Sequence, residues 1–82
     1  MKQLARTPKQ LGAALRRRRR NMGLRQGDIG NMTNLRQATI SALENGEPGT
    51  RLRTLTHVLA ALDLELVVRE RSSGSKEMED LF

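Results

Sequence analysis

Residues 26–46 contain two short helical patterns on either side of one sharp turn, and this arrangement limits the possible folds more than any other part of the chain. In the first pattern Ile29 is expected to face the core, and in the second Ile40 and Leu43 are expected to face it. Between the patterns stands Asn34, one of the few residues other than glycine that tolerate a left-handed backbone conformation. Two glycines destabilise the helix before the turn, each by roughly 1 kcal/mol relative to alanine. This helix therefore depends on tertiary packing for its stability. The pattern predicts two short helices that cross.

Start signals and leucine spacing predict one further helix on each side of this pair. The stretch Thr7-Pro8-Lys9-Gln10 combines an N-cap, a proline at the first helical position and the last residue of a capping box. We expect the four helices to run from residue 8 to about 22, from 26 to about 33, from 36 or 37 to about 45, and from 50 or 51 to about 62. Three apolar residues near the ends of these helices are expected to face inward as well, namely Met22, Met32 and Leu52.

The predicted domain is small and strongly basic. The chain of 82 residues carries a net charge of +6, and its last eleven residues hold one lysine and three acids, so residues 1–71 carry +8. We therefore divide the chain into a basic domain over 1–71 and a flexible acidic tail over 72–82. A basic domain of this size suggests a polyanion as its partner. Binding to an anionic membrane is disfavoured, because large interfacial apolar anchors are missing.

Several other classes of protein are disfavoured by the residues that the chain lacks. It has no cysteine and a single histidine, His57, which cannot form a metal cluster alone. The spacing of serines and carboxylates places none of them beside His57 as a catalytic partner. No phosphate-binding loop is present, so we expect no cofactor and no enzymatic activity. No apolar run is long enough for a signal peptide or a membrane span. The expected protein is soluble and cytoplasmic.

One side of the third helix is not needed for the core, and the residue types on that side suit the reading of DNA bases. Arginine and glutamine make bidentate contacts with guanine and adenine edges, and small residues allow close approach to bases and thymine methyl groups. The residues expected to contact bases are Arg36, Gln37, Ala38, Ser41 and Ala42. A generic helical hairpin without a DNA-binding role stays open as an alternative, since patterning alone does not require the basic surroundings.

The stretch "GLRQGDIGNMTNLRQATISALENG", residues 23–46, resembles the lambdoid-repressor, or Xre-type, helix-turn-helix family. The resemblance implies a five-helix fold over roughly residues 8–64. It also implies that Arg19 and Glu44 form a buried ion pair between the first and third helices. The residues that it places at the DNA phosphates are Arg25, Gln26, Asn45, Arg51 and Arg53. Which members of the arginine run 16–20 also touch DNA stays open.

Three positions depart from the family pattern. Gly30 stands where alanine is usual, and Asn34 replaces the usual turn glycine. Arg36 replaces the serine or threonine that often caps the third helix, which gives up about 1 kcal/mol of capping, and we expect it to contact DNA instead. The first two changes affect stability, whereas the third adds weight to Arg36 as a reading residue.

Residues 64–70 alternate between two sides and predict a strand after the fourth helix. A strand without a partner in its own chain is a pairing edge, so we expect it to pair antiparallel across a two-fold dimer axis. With the axis at Val67, Glu65 of one subunit would face Arg69 of the other, twice. The strand residues are Leu64, Glu65, Leu66, Val67, Val68 and Arg69. An extended tail that does not pair is the alternative.

The order of helix, strand and tail is similar to that of the HipB-type antitoxins. This resemblance implies an all-α, lambda-repressor-like domain that dimerises through its C-terminal strand, binds palindromic operator DNA and represses transcription. It further implies a HipA-type kinase toxin as partner, with the tail residues Leu81 and Phe82 as possible toxin contacts. A stand-alone regulator of the same fold, such as a phage repressor or a restriction–modification controller, is the alternative function.

Overall fold

The computed structural model describes residues 3–71 and contains four helices in this range. They are α1 (Pro8–Asn21), α2 (Gln26–Thr33), α3 (Gln37–Glu44) and α4 (Leu52–Ala61). These bounds agree with the sequence-based ones to within one or two residues. The fifth helix expected from the family resemblance is wrong for residues 3–71, because the chain after α4 carries an alternating pattern and forms no further helix there.

The start of α1 confirms the capping interpretation of its sequence. Thr7 has an extended backbone and its hydroxyl accepts the backbone N–H of Gln10 at 3.0 Å. The predicted reciprocal bond of a capping box differs, because Gln10 Oε1 accepts the N–H of Arg6 at 2.7 Å instead of the N–H of Thr7. Pro8 loses nothing at the first helical position, since its missing N–H would have no partner inside the helix.

The turn between α2 and α3 has the predicted left-handed conformation at Asn34, with φ of 58°. The Asn34 and Leu35 backbone N–H groups both donate to the Gly30 carbonyl oxygen, which ends α2. A Cβ on Gly30 would lie 2.8 Å from the Leu35 carbonyl oxygen. Glycine therefore fits this helix crossing without a shift of the turn, whereas the alanine that is usual in the family would require one.

Seven buried apolar side chains from all four helices and the end of α4 form the core. They are Leu15, Ile29, Ile40, Leu43, Val58, Leu59 and Leu62. The inward positions predicted at Ile29, Ile40 and Leu43 are confirmed, whereas those at Met22, Met32 and Leu52 are wrong because all three side chains are exposed. Each of these three lies at or next to a helix terminus, where the neighbouring helices no longer cover it.

Helix α1 packs directly on the C-terminal end of α3. A Cβ on Gly12 would lie 2.5 Å from the Leu43 carbonyl oxygen, so the two backbones are in contact there. Just after α3, Gly46 has φ of 83°, and a Cβ at this position would lie 2.6 Å from the α-carbon of Lys9 in α1. This contact fixes which side of α3 stays open. No helix within residues 3–71 is long and apolar enough to span a membrane.

Candidate nucleic-acid interface

The open side of α3 carries the residues that were predicted to read bases. Arg36, Gln37 and Ala38 are exposed, and Ser41 and Ala42 are half-buried, while Ile40 and Leu43 point into the core. Arg36 is the N-cap of α3, and its side chain makes no capping hydrogen bond. The helix therefore presents two long polar side chains at its start and only small ones along its middle, which lets it approach a groove closely.

The same side of α3 continues to its C-terminal end. With 3.6 residues per turn, Ala38, Ala42 and Asn45 follow one another along one side of the helix. Asn45 is the C-cap of α3 and is exposed. Helical spacing places one set of residues within a single arc of α3, which we call the reading stripe: Gln37, Ala38, Ser41, Ala42 and Asn45. Arg36 stands just before the stripe as the N-cap.

A buried ion pair holds α3 on α1, as the family resemblance implied. Arg19 Nε lies 2.6 Å from Glu44 Oε2 and Arg19 Nη2 donates to Glu44 Oε1 at 2.9 Å, so the pair is bidentate. Arg19 Nη1 also donates to the Leu24 carbonyl oxygen at 2.8 Å. The hydrogen bonds that Arg19 donates to Glu44 outweigh burial and raise the pKa of Arg19 above its already high value. Both side chains are buried, and each favours the charged form of the other.

Gln26 is a third member of this buried network. Its Nε2 donates to Glu44 Oε1 at 3.1 Å. Burial pushes the pKa of Glu44 upward, but the hydrogen bonds from Arg19 and Gln26 and the charges of Arg19 and Arg16 outweigh burial, so the pKa lies below the ordinary value. Sequence reasoning gave Gln26 only a phosphate contact and missed this bond. A carboxamide has two N–H donors, so one donor remains for a ligand.

The other predicted phosphate-contacting residues are exposed, and two of them stand at helix starts. Arg25 is the N-cap of α2, where its backbone N–H donates to Asp28 Oδ2 at 2.7 Å, and Arg51 is the N-cap of α4. Arg53 lies in the first turn of α4. The partial positive charge of a helix N-terminus favours anions, so the cations at Arg25 and Arg51 add to a field of the same sign.

The five arginines from 16 to 20 divide into two groups. Arg18 is half-buried and its Nε donates to the Leu62 carbonyl oxygen at 3.0 Å, which binds α1 to the end of α4. Arg19 forms the buried pair. Arg16, Arg17 and Arg20 are exposed. Helical periodicity places Arg18 nearest the apolar side of α1, but it cannot indicate the carbonyl partner, which is 44 residues away in sequence.

The predicted dimer strand lies fully within the described range and forms no sheet in the single chain. Leu64 is half-buried against the core, but Val67 and Val68 are 74% and 98% exposed. Glu65, Leu66 and Arg69 are exposed as well. The predicted toxin contacts Leu81 and Phe82 lie outside the described residues. Within residues 3–71, no cluster of three or more histidine or acidic side chains could hold a metal ion.

Two short helices that cross at a tight turn, with an open polar stripe on the second helix and cations beside it, define a helix-turn-helix protein. Residues 10–71 match the family model described as a helix-turn-helix domain. Antitoxin HipB of Escherichia coli strain K12 is 31% identical over 71 residues, which cover 87% of this chain and 81% of that protein. The chain belongs to the HipB antitoxin family of helix-turn-helix proteins.

Solved structures of HipB share the fold. A HipB variant in complex with an O2 20mer has a TM-score of 0.82 and 29% identity, and the match covers 88% of this chain and all of that one. A HipA–HipB–O2–O3 complex has a TM-score of 0.81 and 30% identity, over 87% of this chain and 100% of that chain. The structural similarity therefore extends well beyond the two crossing helices, over most of this chain.

Proposed function

We propose that this chain is the DNA-binding antitoxin of a HipBA-type operon, which represses transcription by binding palindromic operator DNA as a dimer and also binds a HipA-type kinase toxin. The observation that carries the proposal is the coincidence of HipB similarity over 87% of the chain with an open reading stripe on α3. A stand-alone regulator is disfavoured, since the similar structures include HipB in complex with HipA. An antitoxin of this type would act in the cytoplasm, where its operator lies.

In this proposal α3 enters the major groove and reads base edges. Gln37 at the start of the helix would form a bidentate contact with an adenine, and Arg36 with a guanine. Ala38, Ser41 and Ala42 would let the helix approach bases and thymine methyl groups closely. Each good bidentate contact gives about 1–3 kcal/mol of discrimination between bases.

The phosphate contacts would lie on both sides of the reading stripe. Arg25 and the free donor of Gln26 stand at the start of α2, while Arg51 and Arg53 stand at the start of α4. Contacts of this kind place the protein on the duplex without carrying sequence information. They make affinity depend on salt, because each neutralised phosphate releases counterions.

The proposed dimer would bring two reading helices to successive turns of the duplex. Pairing of residues 64–70 across a two-fold axis would cover the apolar side chains that the single chain leaves exposed, above all Val67 and Val68. Half-sites about one helical turn apart, roughly 34 Å, then match the symmetry of the protein. A palindromic operator is the expected consequence.

Replacing Gln37 with alanine is expected to relax base preference and to leave the salt dependence of binding almost unchanged. The variant loses a base contact but no charge. The expected cost on the preferred operator is about 1–3 kcal/mol, with little cost on duplexes changed at the contacted base pair. Fluorescence anisotropy on a panel of single-substituted operators, repeated at several salt concentrations, measures both quantities.

The matched counterpart is Arg53→Ala, which removes a charge and no base contact. This variant should weaken all duplexes to a similar degree and make the slope of log K against log salt shallower by about 0.9 for each bound subunit. If Arg53→Ala keeps the wild-type slope, it has no phosphate role. If Gln37→Ala weakens every duplex equally, α3 does not read bases through this residue.

The antitoxin part of the proposal is tested by co-purification with a HipA-type kinase encoded next to this chain. Full-length protein should retain the kinase, and a chain that ends at residue 71 should retain much less of it, because Leu81 and Phe82 are lost. Operator affinity of the shortened chain serves as the control and should be at least as high as that of the full chain. Equal retention of the kinase by both chains would remove the tail from the toxin interface.

A further inference from the structure

An open basic cleft lies between α1 and the end of α3, beside the surfaces described so far. Its volume is about 490 Å³. The lining residues are Lys9, Ala13, Arg16, Arg17, Arg20, Asn21, Glu44 and Asn45. Four of these carry a positive charge, and two carry a carboxamide that can donate hydrogen bonds.

The charges of the cleft are available to a ligand. Arg16, Arg17 and Arg20 are exposed, unlike Arg18 and Arg19, whose guanidinium groups bind the Leu62 carbonyl and Glu44. Glu44 is the one acid among the described residues that line the cleft. It is paired with Arg19 and offsets part of the field of Arg16, but four cations against one carboxylate leave the cleft net positive. The cleft is therefore a site for an anion with several charges.

The position of the cleft indicates which polyanion fits it. Asn45 both lines the cleft and ends the reading stripe of α3, so a duplex seated on that stripe would pass beside the cleft. Arg16 and Arg20 are four residues apart on α1, which separates them by about 6 Å along the helix axis. This spacing is close to the axial rise of two phosphates on one DNA strand, about 3.4 Å each.

We propose that the cleft between α1 and α3 binds the phosphate backbone of the duplex, with Arg16 and Arg20 each contacting a phosphate and Asn45 joining this contact to the reading stripe. The proposal rests on the DNA-binding function and extends it to a second strip of backbone contacts. It also resolves the arginine run, in which Arg18 and Arg19 hold the fold together while their neighbours bind DNA. An acidic protein segment is the competing occupant.

The test compares two double variants of the full-length protein that remove the same charge. R16Q/R20Q empties the cleft, and R71Q/K76Q takes two charges from the C-terminal part of the chain. Binding to a mixed-sequence DNA duplex is measured by anisotropy over about 50–200 mM salt. R16Q/R20Q should make the slope of log K against log salt shallower by about 1.8 for each bound subunit, so that the affinity ratio of wild type to variant changes by about 12-fold per subunit across this range. R71Q/K76Q should keep a slope close to that of wild type.

A charge-retaining variant separates binding from folding. R16K/R20K should restore most of the wild-type slope, and thermal melting of all variants checks that the domain is folded. Slopes that are lowered equally in the two glutamine variants would mean that only net charge matters, and slopes that stay at the wild-type value in both would show that the cleft does not contact phosphates; either result would overturn the proposal. A wild-type slope for R16Q/R20Q, together with lost retention on immobilised polyglutamate, would assign the cleft to an acidic protein segment instead. Failure of wild type to bind any duplex would refute the DNA-binding function itself, which is a different outcome.

Discussion

Replacement of Glu44 with alanine is expected to destabilise the folded domain by about 3–5 kcal/mol, because it leaves the Arg19 guanidinium buried without its counter-charge. Arg19 would lose two hydrogen bonds and Gln26 would lose one. Single domains are stable by only about 5–15 kcal/mol, so this loss removes a large part of the total. Urea denaturation followed by circular dichroism measures it.

The control for this prediction removes both charges together. The double variant Arg19→Met/Glu44→Leu fills the same space with apolar atoms and strands no charge, so it should be far more stable than either single variant. Arg19→Ala should resemble Glu44→Ala in cost. If Glu44→Ala costs less than about 1 kcal/mol, comparable to a surface pair, the pair does not hold α1 to α3 in solution.

The same carboxylate makes stability depend on pH in a defined direction. The pKa of Glu44 in the folded protein lies below the ordinary value, as the bonds from Arg19 and Gln26 overcome the effect of burial. Its stabilising contribution is therefore fully present above the unfolded-state pKa of about 4.3, and it is lost as the pH falls through the folded-state pKa. Glu44→Gln lacks this component, so its stability should fall less than that of wild type on acidification below about pH 4.

Most of the fold could be predicted because its signals are local. The Thr7 cap of α1 and the left-handed turn at Asn34 each depend on a few consecutive residues, and both are present as predicted. Burial at helix ends depends instead on how far the neighbouring helices extend, and no local pattern reports that. This is why Met32 and Leu52 were placed in the core although both are exposed.

Site residues could be predicted where local spacing and side-chain chemistry determine their exposure. They could not be predicted where their hydrogen-bond partners come from distant parts of the chain. Exposure of Arg36 and Gln37 follows from the apolar spacing of α3, which points Ile40 and Leu43 inward. The bond from Gln26 to Glu44 joins residues 18 apart in sequence, and two helices must be placed before it can be foreseen. The Arg19–Glu44 pair came from the family resemblance, since periodicity put Arg18 nearer the core.

Loss of the proposed dimer strand is expected to lower affinity for a palindromic operator by about 10²–10⁴-fold, because the second half-site is then no longer bound at high effective concentration. An antiparallel ladder uses the N–H groups of alternate residues. Of the two residues Val67 and Val68, only one therefore donates its N–H to the ladder. Proline at that residue should remove one ladder hydrogen bond from each subunit and disrupt the dimer, whereas proline at the other should be tolerated. Both side chains are exposed in the single chain, so the core should be unaffected. Sedimentation equilibrium and gel mobility on the operator measure the two effects.

Affinity for a duplex with one half-site is the matched control and should be nearly equal in wild type and in the monomeric variant. The register is tested by charge exchange: Glu65→Arg and Arg69→Glu should each weaken the dimer, because like charges then face each other across the axis. The double variant Glu65→Arg/Arg69→Glu restores opposite charges at both positions and should recover most of the dimer. A wild-type protein that sediments as a monomer at micromolar concentration would remove the strand-paired dimer. Dimers that persist in both proline variants would place the dimer contact elsewhere on the chain.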